Sequence, residues 1–295
     1  MANCQTWVTI AENIGKKVIL VDFWTYSCIN CQRTLPYLTT WHNKYKNKGL
    51  LIIGVHTPEF DFEKEYDNVV RATKKWDLHY PIILDNDHQT WRAYKNRYWP
   101  RKYLIDIDGF IVYDHIGEGS YAETEEKIQA LLQERNQILG IKESIEENVS
   151  QINAETPQFG NIKTPEIYFG YEFQRGQMGN KEGWVPEKTM YYSPPEKQER
   201  NKFYLQGNWK NNPDNLESIG EQGSVFIQYD AKIVNIVAGS SETKEITFKL
   251  DHKTIGKINV SNFELYQLVA EENYAAHSLE LEIPPGVMIY TLTFG

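Results

Sequence analysis

The pattern of apolar and polar positions changes character near residue 140. Before it, short apolar runs alternate with stretches in which apolar residues recur every three or four positions, the mark of strands alternating with helices. Val18–Phe23 and Leu50–Val55 are apolar runs with polar flanks and read as buried strands. Between them Leu35, Leu38, Trp41 and Tyr45 keep helical spacing and Gly49 closes the segment, while Pro36 inside it predicts a kink. Asp61–Trp76 reads as a second helix, Tyr80–Leu84 as a third strand and Asp87–Arg97 as a short helix. Arg101–Asp106 and Phe110–His115 read as a hairpin turning at Asp108-Gly109. Ser120 and Glu123 have the spacing of a capping box for a last helix bearing Ile128, Leu131 and Leu132. This alternation predicts an α/β sandwich.

Glu143–Lys163 is polar and acidic and has no sustained periodicity, so it reads as a connection rather than an element. Beyond it strands dominate. Ser224–Tyr229 alternates, and Ile233–Val237, Ile246–Leu250, Glu264–Val269, Leu279–Ile283 and Val287–Phe294 follow at short spacing with Gly, Asn and Pro between them. That pattern predicts an antiparallel β-sandwich. The expected organisation is therefore a domain over 1–140, a linker over 141–163 and an all-β domain over 164–295.

Composition narrows the partners. A net charge of −9 with no basic cluster excludes nucleic acid. The 19 Tyr and 8 Trp are the one compositional hint of a carbohydrate- or partner-binding surface, and Trp184, Tyr191, Tyr192 and Trp209 are the candidates in the second domain. No apolar run is long enough to span a bilayer and no signal peptide is present.

The chemistry concentrates in Val21–Cys31, an apolar strand running into Cys28-Ile29-Asn30-Cys31. So short a loop restrains an unfolded chain little, so this pair makes poor sense as a staple and good sense as a redox couple. If a helix starts there, Cys28 sits at its N-terminus, where free N–H groups and the dipole favour a thiolate. Cys31 lies one turn on, on the same side. Asp22 is anomalous inside the strand; burial would raise its pKa and make it a proton acceptor near neutrality. Glu59 with His56 is a candidate proton relay. Trp24, Tyr26 and Trp99 are candidates for lining a substrate groove. Asp85 and Asp87 share a turn and read as a cap and a solvated loop, and no metal or cofactor is expected. Cys4, the third cysteine, reads as an unpaired terminal thiol.

Asp22, Trp24, the two cysteines and Pro36 have the spacing of the thioredoxin active-site region, and Trp99-Pro100 before a strand resembles that family's cis-proline. More closely, Phe23–Cys31 with Arg33–Tyr37, Gly54–Phe60, Phe62–Lys64, Tyr80-Pro81, Asp85–Asp87, Thr90-Trp91, Tyr98–Pro100 and Gly117–Gly119 resemble the thioredoxin-like domain of the DipZ family. Thr164–Tyr171 and Phe203–Trp209 resemble that family's C-terminal region, which is similar to jelly-roll carbohydrate-binding modules. The resemblance implies a thioredoxin fold followed by a jelly-roll-like sandwich. It implies an extracytoplasmic thiol–disulfide oxidoreductase related to the TlpA and ResA proteins of cytochrome c maturation, tethered to a membrane in a longer chain. Protein disulfides or dithiols would be its substrates and a CcdA-like membrane protein its electron donor. Asp22 would lie buried behind the cysteines, and a cis Pro100 would face them. Those reductases often carry Glu three residues after the second cysteine; here Thr34 stands there, and Glu59 is the candidate replacement.

Three functions stay open on this reading. One is disulfide exchange, with Cys28 attacking and Cys31 resolving. Another is a peroxiredoxin-like peroxidase, in which Cys28 becomes a sulfenic acid; Thr25 fits that pattern, but its usual companion proline is missing. The third is a glycan- or partner-binding protein whose redox domain is secondary.

Overall fold

The computed structural model describes residues 8–152 and 157–295, so Cys4 lies outside the described residues. Two compact units divide the chain, Met1–Thr156 and Pro157–Gly295.

The first unit is built on a five-stranded sheet: β1 (Val18–Trp24), β2 (Leu50–His56), β3 (Ile82–Leu84), β4 (Arg101–Ile105) and β5 (Ile111–Ile116), in the order β3-β2-β1-β4-β5. β1 is central, parallel to β2 and antiparallel to β4. Every residue of β1 is buried, as expected of a strand covered on both faces. Ile19, Val21 and Phe23 form one core with Ile53, Val55, Tyr103 and Ile105. The alternate residues Leu20, Asp22 and Trp24 therefore point to the opposite face. The helices are α1 (Ile29–Tyr45), α2 (Tyr66–Lys75), α3 (Gln89–Ala93) and α4 (Tyr121–Ile138).

Two local expectations give way. The stretch read as one helix over Asp61–Trp76 is a 3-10 turn, Asp61–Lys64, then α2, separated by extended Glu65. The turn carries Glu63 inward, where it is fully buried. The capping box at Ser120 does not form, because Ser120 has a left-handed backbone (φ 45°) and its side chain makes no cap bond.

The residues after α4 are not a free linker. Ile145 is buried, and Asn136 Nδ2 donates to the Glu143 carbonyl at 2.9 Å. Glu125 on α4 accepts from Tyr45 Oη (2.7 Å), Lys44 Nζ (2.9 Å), the Ser150 N–H (2.7 Å) and the Ser150 hydroxyl (2.8 Å). Lys44 Nζ also donates to the Asn148 carbonyl. A polar, aperiodic segment reads as a linker because its anchors are side chain–to–backbone bonds, which leave no hydrophobic period.

The second unit is all β: β6 (Ile167–Tyr168), β7 (Thr189–Tyr192), β8 (Phe203–Asn211), β9 (Leu216–Ser218), β10 (Gly223–Gly239), β11 (Lys244–Leu250), β12 (Lys253–Val260), β13 (Glu264–Ile283) and β14 (Met288–Phe294). Two pairs of expected strands are single long ones. Ser224–Tyr229 and Ile233–Val237 both lie in β10, and Glu264–Val269 and Leu279–Ile283 both lie in β13. The polar residues between them stay extended and paired, as in Asp230↔Ala276, with a register shift between Ala231 and Ile233. The first part of β10 pairs with β8 and its second part with β14, so these long strands pass between the layers of a β-sandwich. Its core includes Trp209, Tyr192, Phe203 and Leu281.

The Glu125 clip generates a pH-dependent expectation. Burial alone would raise this carboxyl's pKa, but the bonds from Lys44, Ser150 and Tyr45 outweigh it and hold the carboxyl below its usual value. A depressed folded pKa contributes stability above the unfolded pKa, and that contribution is lost as pH falls through the folded value. Glu125→Gln is expected to destabilise the first unit by about 1–3 kcal/mol at neutral pH, the deficit shrinking toward about pH 4. Urea unfolding at the two pH values measures it; a pH-independent deficit would show that charge plays no part in the clip.

Candidate active site

β1 ends at Trp24, and a turn over Thr25–Ser27 leads to Cys28, the N-cap of α1 (φ −77°, ψ 119°). The Cys31 N–H donates to Cys28 Sγ at 3.3 Å, so an otherwise orphaned helix N–H is aimed at that sulfur. Both thiols are free. Cys28 is partly exposed, whereas Cys31 is 0% exposed. The exposed sulfur is the one an outside disulfide reaches; the buried one meets only Cys28 and the residues behind it. Burial, the hydrogen bond and charge of Cys28 and the charge of Asp22 push the Cys31 thiol well above its usual pKa. Cys31 therefore needs a proton acceptor before it can attack.

Asp22 is 1% exposed, and neither carboxylate oxygen has a hydrogen-bond partner among the described residues. Burial lifts its pKa to about 7 against the opposing charge of Lys102. Lys102 on β4 is the register partner of Asp22. It is 0% exposed, donates from Nζ to the Gly117 carbonyl at 3.1 Å, and lies 5.6 Å from the Tyr121 ring centroid. Burial lowers its pKa, opposed by the charges of Asp22, Cys31 and Glu118. Sequence reading missed Lys102. Its one signal is a lysine amid Tyr103, Leu104 and Ile105, and only the β1–β4 register shows what it faces.

A second buried acid also escaped. Glu63 Oε1 accepts from the Ser27 hydroxyl (2.6 Å) and N–H (3.3 Å), and Oε2 from the Glu59 (2.6 Å) and Phe60 (3.0 Å) N–H groups. Burial raises its pKa, while hydrogen bonds from Ser27, Thr25 and the Phe60 and Glu59 N–H groups pull it back. Glu59, the expected second acid, is half-buried on the loop after β2, and its N–H is one of these donors. His56 is 0% exposed, with Nε2 3.4 Å from Thr25 Oγ1 and the Tyr26 ring stacked 5.7 Å away. Burial drops its pKa to about 3, so the imidazole stays uncharged near neutrality.

Trp24 and Tyr26 offer no face to a substrate: they are 0% and 3% exposed and pack against His56 in the core. Trp99 is half-buried, donates from Nε1 to the Thr57 carbonyl at 3.0 Å, and packs on Trp91 with centroids 4.2 Å apart. The Trp99–Pro100 peptide is cis, the isomer the resemblance implies. Because Phe23 pairs with Arg101 in an antiparallel register, Pro100 immediately precedes β4 beside the end of β1, at the sheet edge from which the chain leaves for Cys28. Asp85 caps α3, accepting from the Thr90 (2.8 Å) and Trp91 (2.9 Å) N–H groups. Among the described residues no cluster of three or more His, Cys, Asp or Glu is arranged for a metal. In the second unit Tyr192 and Trp209 are core, Trp184 is partly buried against it, and Tyr191 is 57% exposed. A sugar platform of all four does not exist.

Residues 2–114 match the AhpC/TSA family and residues 164–295 the thioredoxin-like C-terminal domain family. Protein DipZ of Mycobacterium bovis is 35% identical over 286 residues, which are 96% of this chain and 40% of DipZ. The chain belongs to the DipZ family of thioredoxin-like proteins. It spans 40% of the length of its DipZ relatives. Thiol-disulfide oxidoreductase YkuV of Bacillus subtilis is 28% identical over 43% of this chain and 85% of YkuV. Thiol-disulfide oxidoreductase ResA of Bacillus cereus is 30% identical over 41% of this chain and 65% of ResA. The DipZ match alone among these three runs through both units; YkuV and ResA, both named thiol-disulfide oxidoreductases, match 43% and 41% of this chain.

The Asp22 environment has a thermodynamic signature. A folded pKa raised from 3.8 to about 7 gives stability that is complete below the unfolded pKa and lost as pH rises through the folded one. Asp22→Asn is expected to gain on the wild type as pH rises from about 4 to about 7, by up to about 4 kcal/mol, and to gain no more above that. Denaturant midpoints across this range measure it. A gap that does not change with pH would mean Asp22 does not titrate in the fold.

Proposed function

We propose that the first unit exchanges thiols and disulfides with protein substrates through Cys28 and Cys31. The observation that carries the reading is the asymmetry of the pair: a reachable sulfur at a helix N-cap, a sealed one a turn behind it, and an unpartnered carboxylate beyond. The Cys28 thiolate attacks a substrate disulfide; one substrate sulfur leaves as a thiolate and a mixed disulfide forms. Cys31 passes its proton to Asp22 and attacks Cys28 Sγ, and the second substrate thiolate departs. Two electrons have moved from the protein to the substrate, and the reverse sequence oxidises a dithiol. The Pro100 carbonyl already accepts from the Gly117 N–H at 2.8 Å, so backbone pairing with an extended substrate falls to Trp99.

The wider setting belongs to the same proposal. The chain works on the outer side of a membrane, in cytochrome c biogenesis or envelope redox homeostasis, recharged by a CcdA-like donor. Among the described residues no helix is long and apolar enough to cross a membrane. The second unit is a docking or glycan module, to which the exposed Tyr191 and a cavity of about 270 Å³ lined by Asn180, Lys181, Glu182 and Ser193 offer surface.

The AhpC/TSA match supports one competing reading, a peroxidase acting through Cys28. Disulfide exchange predicts insulin reduction that Cys28→Ser abolishes, first alkylation of the reduced protein at Cys28, and a mixed disulfide that accumulates in Cys31→Ser. Peroxide consumption without insulin reduction would replace the proposal with the peroxidase. Preferential labelling of Cys31 would reverse the roles.

The division of labour is tested by fragments. Residues 1–152 are expected to keep insulin-reducing activity and residues 157–295 to fold without it. A fragment ending at 140 loses the two Ser150 bonds to Glu125 and is expected to unfold at lower urea than one ending at 152. If the longer fragment is folded and inactive, the two units work as one.

A further inference from the structure

The carboxylate of Glu63 is 0% exposed and bridges two loops that meet at the same edge of the sheet. One is Thr25–Ser27, which delivers Cys28 to the helix; the other follows β2 and supplies the Glu59 and Phe60 N–H groups. These partners are donors, the Ser27 hydroxyl and N–H to one oxygen and the Glu59 and Phe60 N–H groups to the other, and Thr25 adds a further hydrogen bond. Such a shell suits an ionised carboxylate, which only accepts, and suits an amide badly, because its NH2 would face N–H groups on one side or the other. The Ser27 hydroxyl bond, at 2.6 Å, has the length of a charge-assisted one. Ser27 is itself 1% exposed and immediately precedes the N-cap cysteine.

We propose that Glu63 is a positioning residue for the dithiol, clamping Ser27 so that Cys28 is held at the N-cap within reach of Cys31. The inference rests on the reading of Cys28 and Cys31 as a redox couple. Holding two thiols in reacting geometry raises the effective concentration of one for the other and favours their disulfide over mixed disulfides with outside thiols. Loosening the clamp lowers that concentration. The Cys31 N–H to Cys28 Sγ contact depends on the same placement of Cys28.

The test is redox equilibrium of the whole chain with glutathione, read by mass spectrometry, alongside urea unfolding. Glu63→Gln is expected to lower the equilibrium constant for forming the Cys28–Cys31 disulfide about tenfold, and to lengthen the life of the glutathione adduct on Cys28. Ser27→Ala removes only the hydroxyl bond and leaves the buried acid in place; it is expected to give a smaller shift of the same sign. It also serves as the test should Glu63→Gln fail to fold. A purely structural clamp would lower the urea midpoint and leave the equilibrium constant unchanged, and that result in a folded variant overturns the inference. If the wild type itself forms no intramolecular disulfide at any glutathione ratio, the redox reading falls first. A wild-type disulfide with unmoved variants refutes only the role of Glu63.

Discussion

A carboxylate sits in the middle of a strand that has no route to water. β1 is buried along its whole length, and the charge of Asp22 is felt by Cys31 on α1. An ionised group in that position is tolerated only if it takes a proton or meets an opposite charge. The sheet provides the second through register, since Lys102 lies directly across from Asp22. A one-residue slip of β4 would put Tyr103 opposite Asp22 and turn the lysine to the other face, stranding two buried charges. The alignment of β4, and with it the placement of Trp99 and Pro100 beside the end of β1, is thereby tied to one electrostatic pairing.

What was legible in the sequence was local. Asp22, Cys28, Cys31 and Pro36 lie in one short segment of the chain, and their spacing alone indicates a strand ending at a helix N-cap. The cis Trp99–Pro100 was accessible through resemblance. What stayed hidden depends on contacts between distant segments. Lys102 means nothing until β4 is laid against β1. Glu63 looks like one acid in a polar stretch until the turn at Asp61–Lys64 carries it to Ser27, 36 residues away in sequence. Glu59, the candidate second acid, stands on the loop after β2, and the side chain four residues later reaches Ser27.

The second unit illustrates a different gap. Strand breaks were placed where polar residues accumulate, around Asp230 and between Ala270 and Ser278. Those residues remain paired: Asp230 is buried in β10 between Tyr229 and Ala231, and it faces a more exposed stretch of β13. Polarity marks a change of surroundings there, and the strand continues through it. The aromatic count misled in a related way: Tyr192 and Trp209 fill the core of the sandwich, leaving Tyr191 as the exposed member of the group.

The complete burial of Cys31 also bears on damage. Sulfur climbs from sulfenic to sulfinic and sulfonic acid only where oxidant can reach it, and the later rungs are not reversed by simple thiols. Cys31 offers no such surface, so an oxidant meets Cys28 first. The sulfenic acid formed there stands one helical turn from an intact thiol, which can condense with it to a disulfide and release water before a second oxidant arrives. The arrangement that serves exchange thus also confines oxidative injury to a single, repairable sulfur.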